Sequence, residues 1–245
     1  MDFTGKTAII TGAAVGIGRA TAIRLASAGA NLILVDMNLE KLKEVEKELM
    51  VYGKDVLVFE GDVTDEKRVQ EIVTKALMKF SSIEILVNNA AIWRSMASFM
   101  EVSIEEWRRY IDINVMGTVY FIRAVLPNML KNNYGRIINV SSVAGVYGNA
   151  NMVHYSATKG AVNLLTKALA KEVTDKNILV NSVCPGSVSP SDNPDVNYYK
   201  ESDLSFMGRT GTDMENANLI AFLASDEASY ISGQNIQIDG CRKKQ

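Results

Sequence analysis

The chain has 245 residues, 47% of them apolar and 22% charged, with a formal net charge of −2. That is apolar material enough for the core of one large α/β domain, and so little net charge gives no basic surface for nucleic acid or an anionic membrane. Cys184 and Cys241 are too few for a disulfide framework and lack metal-site spacing.

The opening, MDFTGKTAII, has an acid at position 2 and no long apolar core, so it does not read as a secretory signal. No uninterrupted run approaches the roughly 18 apolar residues of a membrane span. The expectation is a soluble, cytoplasmic protein with reduced cysteines and no metal. Strand candidates follow in order: KTAIIT (6–11), NLILVD (31–36), DVLVFEGD (55–62), IEILVNN (83–89), RIINVSS (136–142), ILVNSV (178–183) and NIQID (235–239). Their near-continuous apolar character suits strands covered on both faces, as in a parallel sheet. Amphipathic stretches lie between them, two with capping-box starts, Ser103 with Glu106 and Thr212 with Glu215. The alternation predicts one doubly wound α/β domain over 1–245, built on a seven-stranded, mainly parallel sheet with helices on both faces. Residues 187–206 break the rhythm, with no clean period and with Pro190 and Pro194. Their length and their place after a strand predict a substrate lid rather than a passive surface loop.

Two stretches carry chemistry. TGAAVGIG, Thr11 to Gly18, follows the first strand and opens the first helix. Its glycines permit a tight turn and bring backbone N–H groups to a pyrophosphate at the positive end of a helix. Asp36 ends the next strand, 18 residues beyond Gly18. A carboxylate there can accept hydrogen bonds from adenosine ribose hydroxyls and repel a 2′-phosphate, and no cation stands at 37, 38 or ahead of Gly16. The alternative makes Asp36 a helix cap for NLEKLKEVEKEL. The second stretch, HYSATKGA (154–161), sets Tyr155 four residues before Lys159, hence on one helical face. A free phenol, with a pKa of about 10, is a poor base at neutral pH. A nearby cation favours its phenolate and makes an acid/base group for an alcohol or carbonyl oxygen. Alone, the pair could be an ordinary aromatic–cation contact on a solvated helix. His154 is the chain's single histidine and faces away from Tyr155; it reads as packing or a pocket wall, and Cys184 as a small apolar residue.

The form T-G-x-x-x-G-I-G, taken with Y-x-x-x-K, resembles the short-chain dehydrogenase/reductase family over about residues 5–240. The resemblance implies a Rossmann-type fold, an NAD(H)-dependent oxidoreductase acting on CH–OH groups, and four catalytic residues. Tyr155 is the acid/base and Lys159 its partner, also bonded to the nicotinamide ribose. Ser142, with Ser141 as the alternative, orients the substrate oxygen, and Asn114 in DINVMGT holds a relay water. NAD is the implied cofactor. Its contacts fall on Gly12, Gly16, Ile17, Gly18 and Asp36, on Asp62 and Val63 of GDVTD, on Asn89 and Ala90 of NNAA, on Tyr155 and Lys159, and on Gly186 and Val188 of PGSV. Three positions depart from the family pattern: Ala91 replaces a glycine, Cys241 in IDGC another, and Pro190 a threonine whose role would pass to Ser189 or Ser191. A homodimer or homotetramer is implied, pairing the helices near 104–132 and 153–175, where Ala157, Gly160, Ala161 and Ala168 allow close approach.

For the substrate, Trp93, Tyr147, Tyr198, Tyr199 and Phe206 suggest a pocket for a ring. Asp192, Asp195, Glu201 and Asp203 against Lys200 disfavour a polyanion. The expectation is a hydroxysteroid or other cyclic apolar alcohol rather than a sugar or polyol. The alternatives are a 3-oxoacyl reductase of fatty-acid synthesis, whose usual NADPH Asp36 opposes, and a catalytically silent NAD-binding regulatory protein. The complete set Asn114, Ser142, Tyr155 and Lys159 speaks against a silent protein.

Overall fold

Seven strands lie side by side: β1 (Thr7–Thr11), β2 (Asn31–Asp36), β3 (Val56–Glu60), β4 (Ile85–Asn88), β5 (Gly135–Val140), β6 (Ile178–Pro185) and β7 (Asn235–Ile238). The computed structural model describes residues 1–93, 95–189 and 193–243. The sheet order is β3-β2-β1-β4-β5-β6-β7, and every neighbouring pair is parallel. Each strand candidate forms a strand. The reason is burial on both faces: in β1, Ala8 and Ile10 enter one core and Ile9 the other. On the first face the sheet is covered by α1 (Gly16–Ser27), α2 (Leu39–Leu49) and α8 (Asp213–Ala224), through Leu25, Leu42 and Ile220. On the second it is covered by α3 (Glu66–Phe80), a long helix over 104–132 and α7 (Val153–Val173), through Ile72, Phe121 and Ala170.

The order places β1 against both β2 and β4. The chain therefore winds outward from β1 to β3, then returns to β4 and winds the other way. Where the winding reverses, the carboxyl ends of β1 and β4 diverge into a crevice. The long helix comprises α4 (Ile104–Ile111), a π turn (Asp112–Met116) and α5 (Gly117–Asn132). It is 29 residues long and holds an 18-residue window of mean hydropathy 1.2, so by length and composition alone it could cross a membrane. Here Phe121, Val125 and Met129 are packed in the core.

The caps sort the sequence signals. Thr212 and Glu215 form the full reciprocal box at α8. Ser103 accepts from the Glu106 N–H at α4, but only that half of its box is present. At α2 the cap is Asn38, which accepts from the Lys41 N–H; Asp36 does not cap this helix.

A short helix, α6 (Ala144–Tyr147), follows β5 and docks on α7. Gly145 makes that docking possible. A Cβ there would sit 2.5 Å from the Lys159 carbonyl carbon and 2.7 Å from the Gly160 nitrogen. A Cβ on Gly160, across the contact, would meet only the Gly145 oxygen, at 3.6 Å. Gly145→Ala is therefore expected to destabilise by about 1–3 kcal/mol through overpacking against backbone. Gly160→Ala is expected to gain about 0.5–1 kcal/mol by lowering unfolded-chain entropy in a helix interior. Denaturant unfolding of both variants checks this asymmetry; equal effects would contradict it.

Candidate active site

A cavity of about 920 Å³ opens at the crevice. Its first wall is the turn from β1 into α1. Gly12 takes φ +63°, and a Cβ there would meet the Ala90 Cα and the Asn89 Nδ2 at 2.9 Å. Asn89 closes the turn: its Nδ2 donates to the carbonyls of Thr11 and Gly12, each at 3.0 Å. The N–H groups of Asn89 and Ala90 both donate to Thr11 Oγ1. A Cβ on Gly18 would lie 2.0 Å from the Gly12 carbonyl oxygen. Gly18 is thus a packing position that lets the helix sit on the turn, while Gly12, Gly16 and Ile17 border the cavity. No side chain caps the start of α1, and its first turn holds no acid. Its leading N–H groups and the positive end of the helix dipole fit a pyrophosphate.

Asp36 borders the cavity at the end of β2. Its Oδ2 accepts from the Ala14 N–H at 3.1 Å and its Oδ1 from the Asn38 N–H at 3.0 Å. These bonds aim the carboxylate and leave lone pairs for ribose hydroxyls. Asp62, Val63, Asn89, Ala90, Gly186 and Val188 also border the cavity. Val63 is wedged against Gly117, where a Cβ would come within 2.6 Å of its Cγ2. Val188 bridges to Gly211, and the bonds of that bridge are made by Ser187 and Ser189 on either side of it. Together these groups suit a dinucleotide.

The second wall joins the end of β5 to α7. Ser142 lies near enough to the Tyr155 hydroxyl to favour its ionised form, and its Oγ accepts from the Ala144 N–H at 3.1 Å. Ser141 donates instead to the Lys159 carbonyl at 3.0 Å. Both serines border the cavity, and Ser141 spends its hydroxyl on the helix backbone while Ser142 lies beside the phenol. Lys159 lies on the Tyr155 face, its Nζ 5.8 Å from the ring centroid, and donates to the Val140 carbonyl at 2.8 Å.

The electrostatics differ from the sequence expectation. Burial pushes the Tyr155 phenol up to about 12, against a smaller lowering by the nearby Ser142. Burial also brings the Lys159 ammonium down to about 8. Desolvation penalises each charged form and is the largest cause of both shifts.

Asn114 is buried in the π turn and does not border the cavity. Its Oδ1 accepts from the Ile92 N–H at 2.8 Å, and its Nδ2 donates to the Ile92 carbonyl and to Thr158 Oγ1. The side chain ties the strand β4 exit to the turn before Lys159. His154 is fully buried edge-on to Tyr110, 4.2 Å between centroids, so it is packing. Cys184 is buried, with its thiol pushed up by burial.

The aromatic pocket does not form as expected. Trp93 borders the cavity, but Tyr147, Tyr198, Tyr199 and Phe206 do not. Tyr147 donates to Gln237 at 2.5 Å, Tyr199 lies under Arg209, and Phe206 lies beside Lys243. Polar side chains take their place: Arg109, Asn149, Lys200, Glu201, Asp213 and Arg242. Residues from the 187–206 segment, among them Ser189, Lys200 and Leu204, form part of the wall. Pro190, Ser191 and Asp192 lie outside the described residues. Cys241 takes φ +58°, a glycine-favouring conformation, with its N–H donating to Asp239. No cluster of potential metal ligands occurs among the described residues.

The family model for short chain dehydrogenases matches residues 6–198. The chain is 41% identical to a 3-oxoacyl-[acyl-carrier-protein] reductase of Thermotoga maritima, over 98% of both proteins. It is 36% identical to a cyclohexanol dehydrogenase of an Acinetobacter species, over 97% of this chain and 95% of that one. Among solved structures it resembles an NAD+-bound xylitol dehydrogenase, with a TM-score of 0.90, 32% identity and coverage of 97% of this chain and 99% of the other.

The buried ammonium generates a stability prediction. Lys159 titrates at about 8 in the fold against 10.5 ordinarily. Between those values the unfolded chain binds more protons than the folded one, so this group makes stability rise with pH across that window. Lys159→Met is expected to be more stable than wild type at pH 7, by at most about 3 kcal/mol at 1.36 kcal/mol per pKa unit, with the gap closing towards pH 10. Unfolding at pH 7 and pH 10 checks this; a Met variant weaker at pH 7, or a gap unchanged at pH 10, would contradict it.

Proposed function

The chain belongs to the short-chain dehydrogenase family, and from that premise we propose that it is an NAD-dependent enzyme interconverting a cyclic secondary alcohol and its ketone. The observation that carries the reading is that Ser142, Tyr155 and Lys159 line the same cavity as Asp36, with Lys159 held 5.8 Å from the Tyr155 ring centroid. The α1 amides, Asp36, Asp62, Val63 and Val188 would hold the cofactor, which when bound accepts or returns a hydride.

The chain's own residues handle the oxygen and its proton. Ser142 and the Tyr155 hydroxyl converge on one point of the wall, where an alcohol or carbonyl oxygen accepts their hydrogen bonds and is fixed for transfer. In ketone reduction Tyr155 gives its proton to that oxygen; in alcohol oxidation it takes the proton back. Lys159 places a positive charge beside the phenol and offers donors to the nicotinamide ribose. Asn114 holds Thr158 and Ile92 and so fixes the turn of α7 that carries Lys159. Trp93, Ile113, Met152 and Leu204 give the substrate end apolar surface, which suits a ring. The likeness to the cyclohexanol dehydrogenase supports a ring substrate.

A second reading, 3-oxoacyl reduction, is favoured by the likeness to the Thermotoga reductase. The two readings part over cofactor and substrate. NAD should be used far more efficiently than NADP, because Asp36 accepts from ribose hydroxyls and repels a 2′-phosphate. Asp36→Ala should narrow the gap by weakening NAD and relieving NADP. Reduction of NAD and NADP measured against a panel of cyclic and open-chain secondary alcohols checks both points. Wild-type turnover of NADP as fast as NAD would defeat the reading of Asp36. Turnover confined to 3-oxoacyl thioesters would favour the second reading.

We also propose assembly into a homodimer or homotetramer. Ala157, Ala161, Leu164 and Ala168 form an exposed stripe on α7, which supports packing against a second copy rather than only against the chain's own sheet. Light scattering at micromolar concentration should give two or four chains, and Ala161→Arg a smaller species; a wild-type monomer would rule this out.

A further inference from the structure

Asp213 opens α8 and borders the cavity, yet it is only 2% exposed. Its Oδ2 is buried with no hydrogen-bond partner among the described residues. Ser189 repeats the pattern: it borders the same cavity, is 5% exposed, and its Oγ also lacks a partner. The two are fixed relative to each other, because the Ser189 N–H donates at 3.0 Å to the carbonyl of Gly211, two residues before Asp213. They stand on the cavity wall that also holds the start of α1 and the exit of β6. Buried polar atoms without partners are rare and costly in folded proteins, and their persistence beside a cavity points to a ligand that satisfies them.

The charges around Asp213 decide which protonation state a ligand meets. From α1, Arg19 draws the carboxyl down, but its guanidinium is spent on Glu48 and the Pro194 carbonyl. On α8 itself, Glu215 is paired with Arg209. From the segment after β6, Lys200 and Glu201 border the cavity with opposite charges. Burial outweighs Arg19 and raises the Asp213 carboxyl to about 6. Ionised, this group would repel an anion at the α1 amides; protonated, it is a hydrogen-bond donor, and either oxygen can carry the proton.

We infer that Asp213, as a neutral carboxylic acid, and Ser189 donate hydrogen bonds to the diphosphate of the bound dinucleotide, so that binding takes up one proton at Asp213. The inference rests on the nicotinamide-dinucleotide reading above, and its experiment separates the two.

Calorimetry of NAD binding in two buffers of different ionisation enthalpy counts the protons taken up. At pH 7 the wild type should take up more than about half a proton beyond Asp213→Asn, which keeps a donor and the shape but does not titrate. Wild-type affinity should weaken towards tenfold per pH unit above about pH 6, the slope for one linked proton. Over pH 6–8 the Asn variant should stay flat and bind more tightly than wild type at pH 8. Ser189→Ala, which leaves Asp213 in place, should weaken NAD several-fold while keeping the proton uptake. Equal uptake in wild type and Asp213→Asn, or pH-independent binding by both, would overturn the inference. Binding of NADP but not NAD would overturn the reading of Asp36 alone, since NADP carries the same diphosphate and reports the same linkage. Failure of both dinucleotides to bind at any pH would overturn both readings.

Discussion

The docking of α7 onto the end of β5 is the contact on which the site depends. Ser141 donates to the Lys159 carbonyl, Lys159 donates back to the Val140 carbonyl, and the bare Gly145 backbone lies against the Lys159–Gly160 peptide. These contacts join a strand end to a helix turn and leave no slack between them. Ser142 follows Ser141, and Tyr155 sits one turn before Lys159. Their placement on one wall of the cavity is therefore a consequence of backbone packing, and neither side chain need search for the other.

Burial then sets the chemistry of what has been positioned. The same desolvation holds the Tyr155 phenol protonated and eases the proton off Lys159. Over the neutral range the phenol is thus a donor, ready to protonate a carbonyl oxygen. Acting as an acceptor requires positive charge near its oxygen, and Lys159 is held where its charge can serve. Charged groups elsewhere around the cavity answer to the same competition: Asp36 is met by two backbone N–H groups, while Asp213 is buried with one oxygen unmatched.

The sheet was legible because strands covered on both faces read as near-continuous apolar runs, as the inner candidates do, while the edge strands β3 and β7 are only half-buried. The glycine turn and Asp36 were legible because close approach and charge reversal leave few residue choices. Gly18 was only half legible: its spacing marked the motif, but its place is against the Gly12 carbonyl and not on the cavity wall. Asn114 was marked only by resemblance, and the π turn that buries it has no local signature. The polar lining was hidden, because Arg242 comes from the C-terminal tail, Arg109 from α4 and Asp213 from α8. An acid in a first helical turn reads as a dipole partner, and nothing local announces its burial. The aromatic residues misled for a related reason. Tyr199 and Phe206 found cations outside the cavity, a choice that depends on neighbours distant in sequence.

The central claim is that Tyr155 moves the proton while other residues hold the cofactor. It is tested most directly by measuring, on one preparation of Tyr155→Phe, both alcohol-dependent turnover and NAD affinity. Loss of a general acid/base costs typically 10²–10⁴-fold in rate, so turnover should collapse by that factor while the Kd for NAD changes less than about threefold. A Phe variant that keeps more than about a tenth of wild-type turnover would contradict the account.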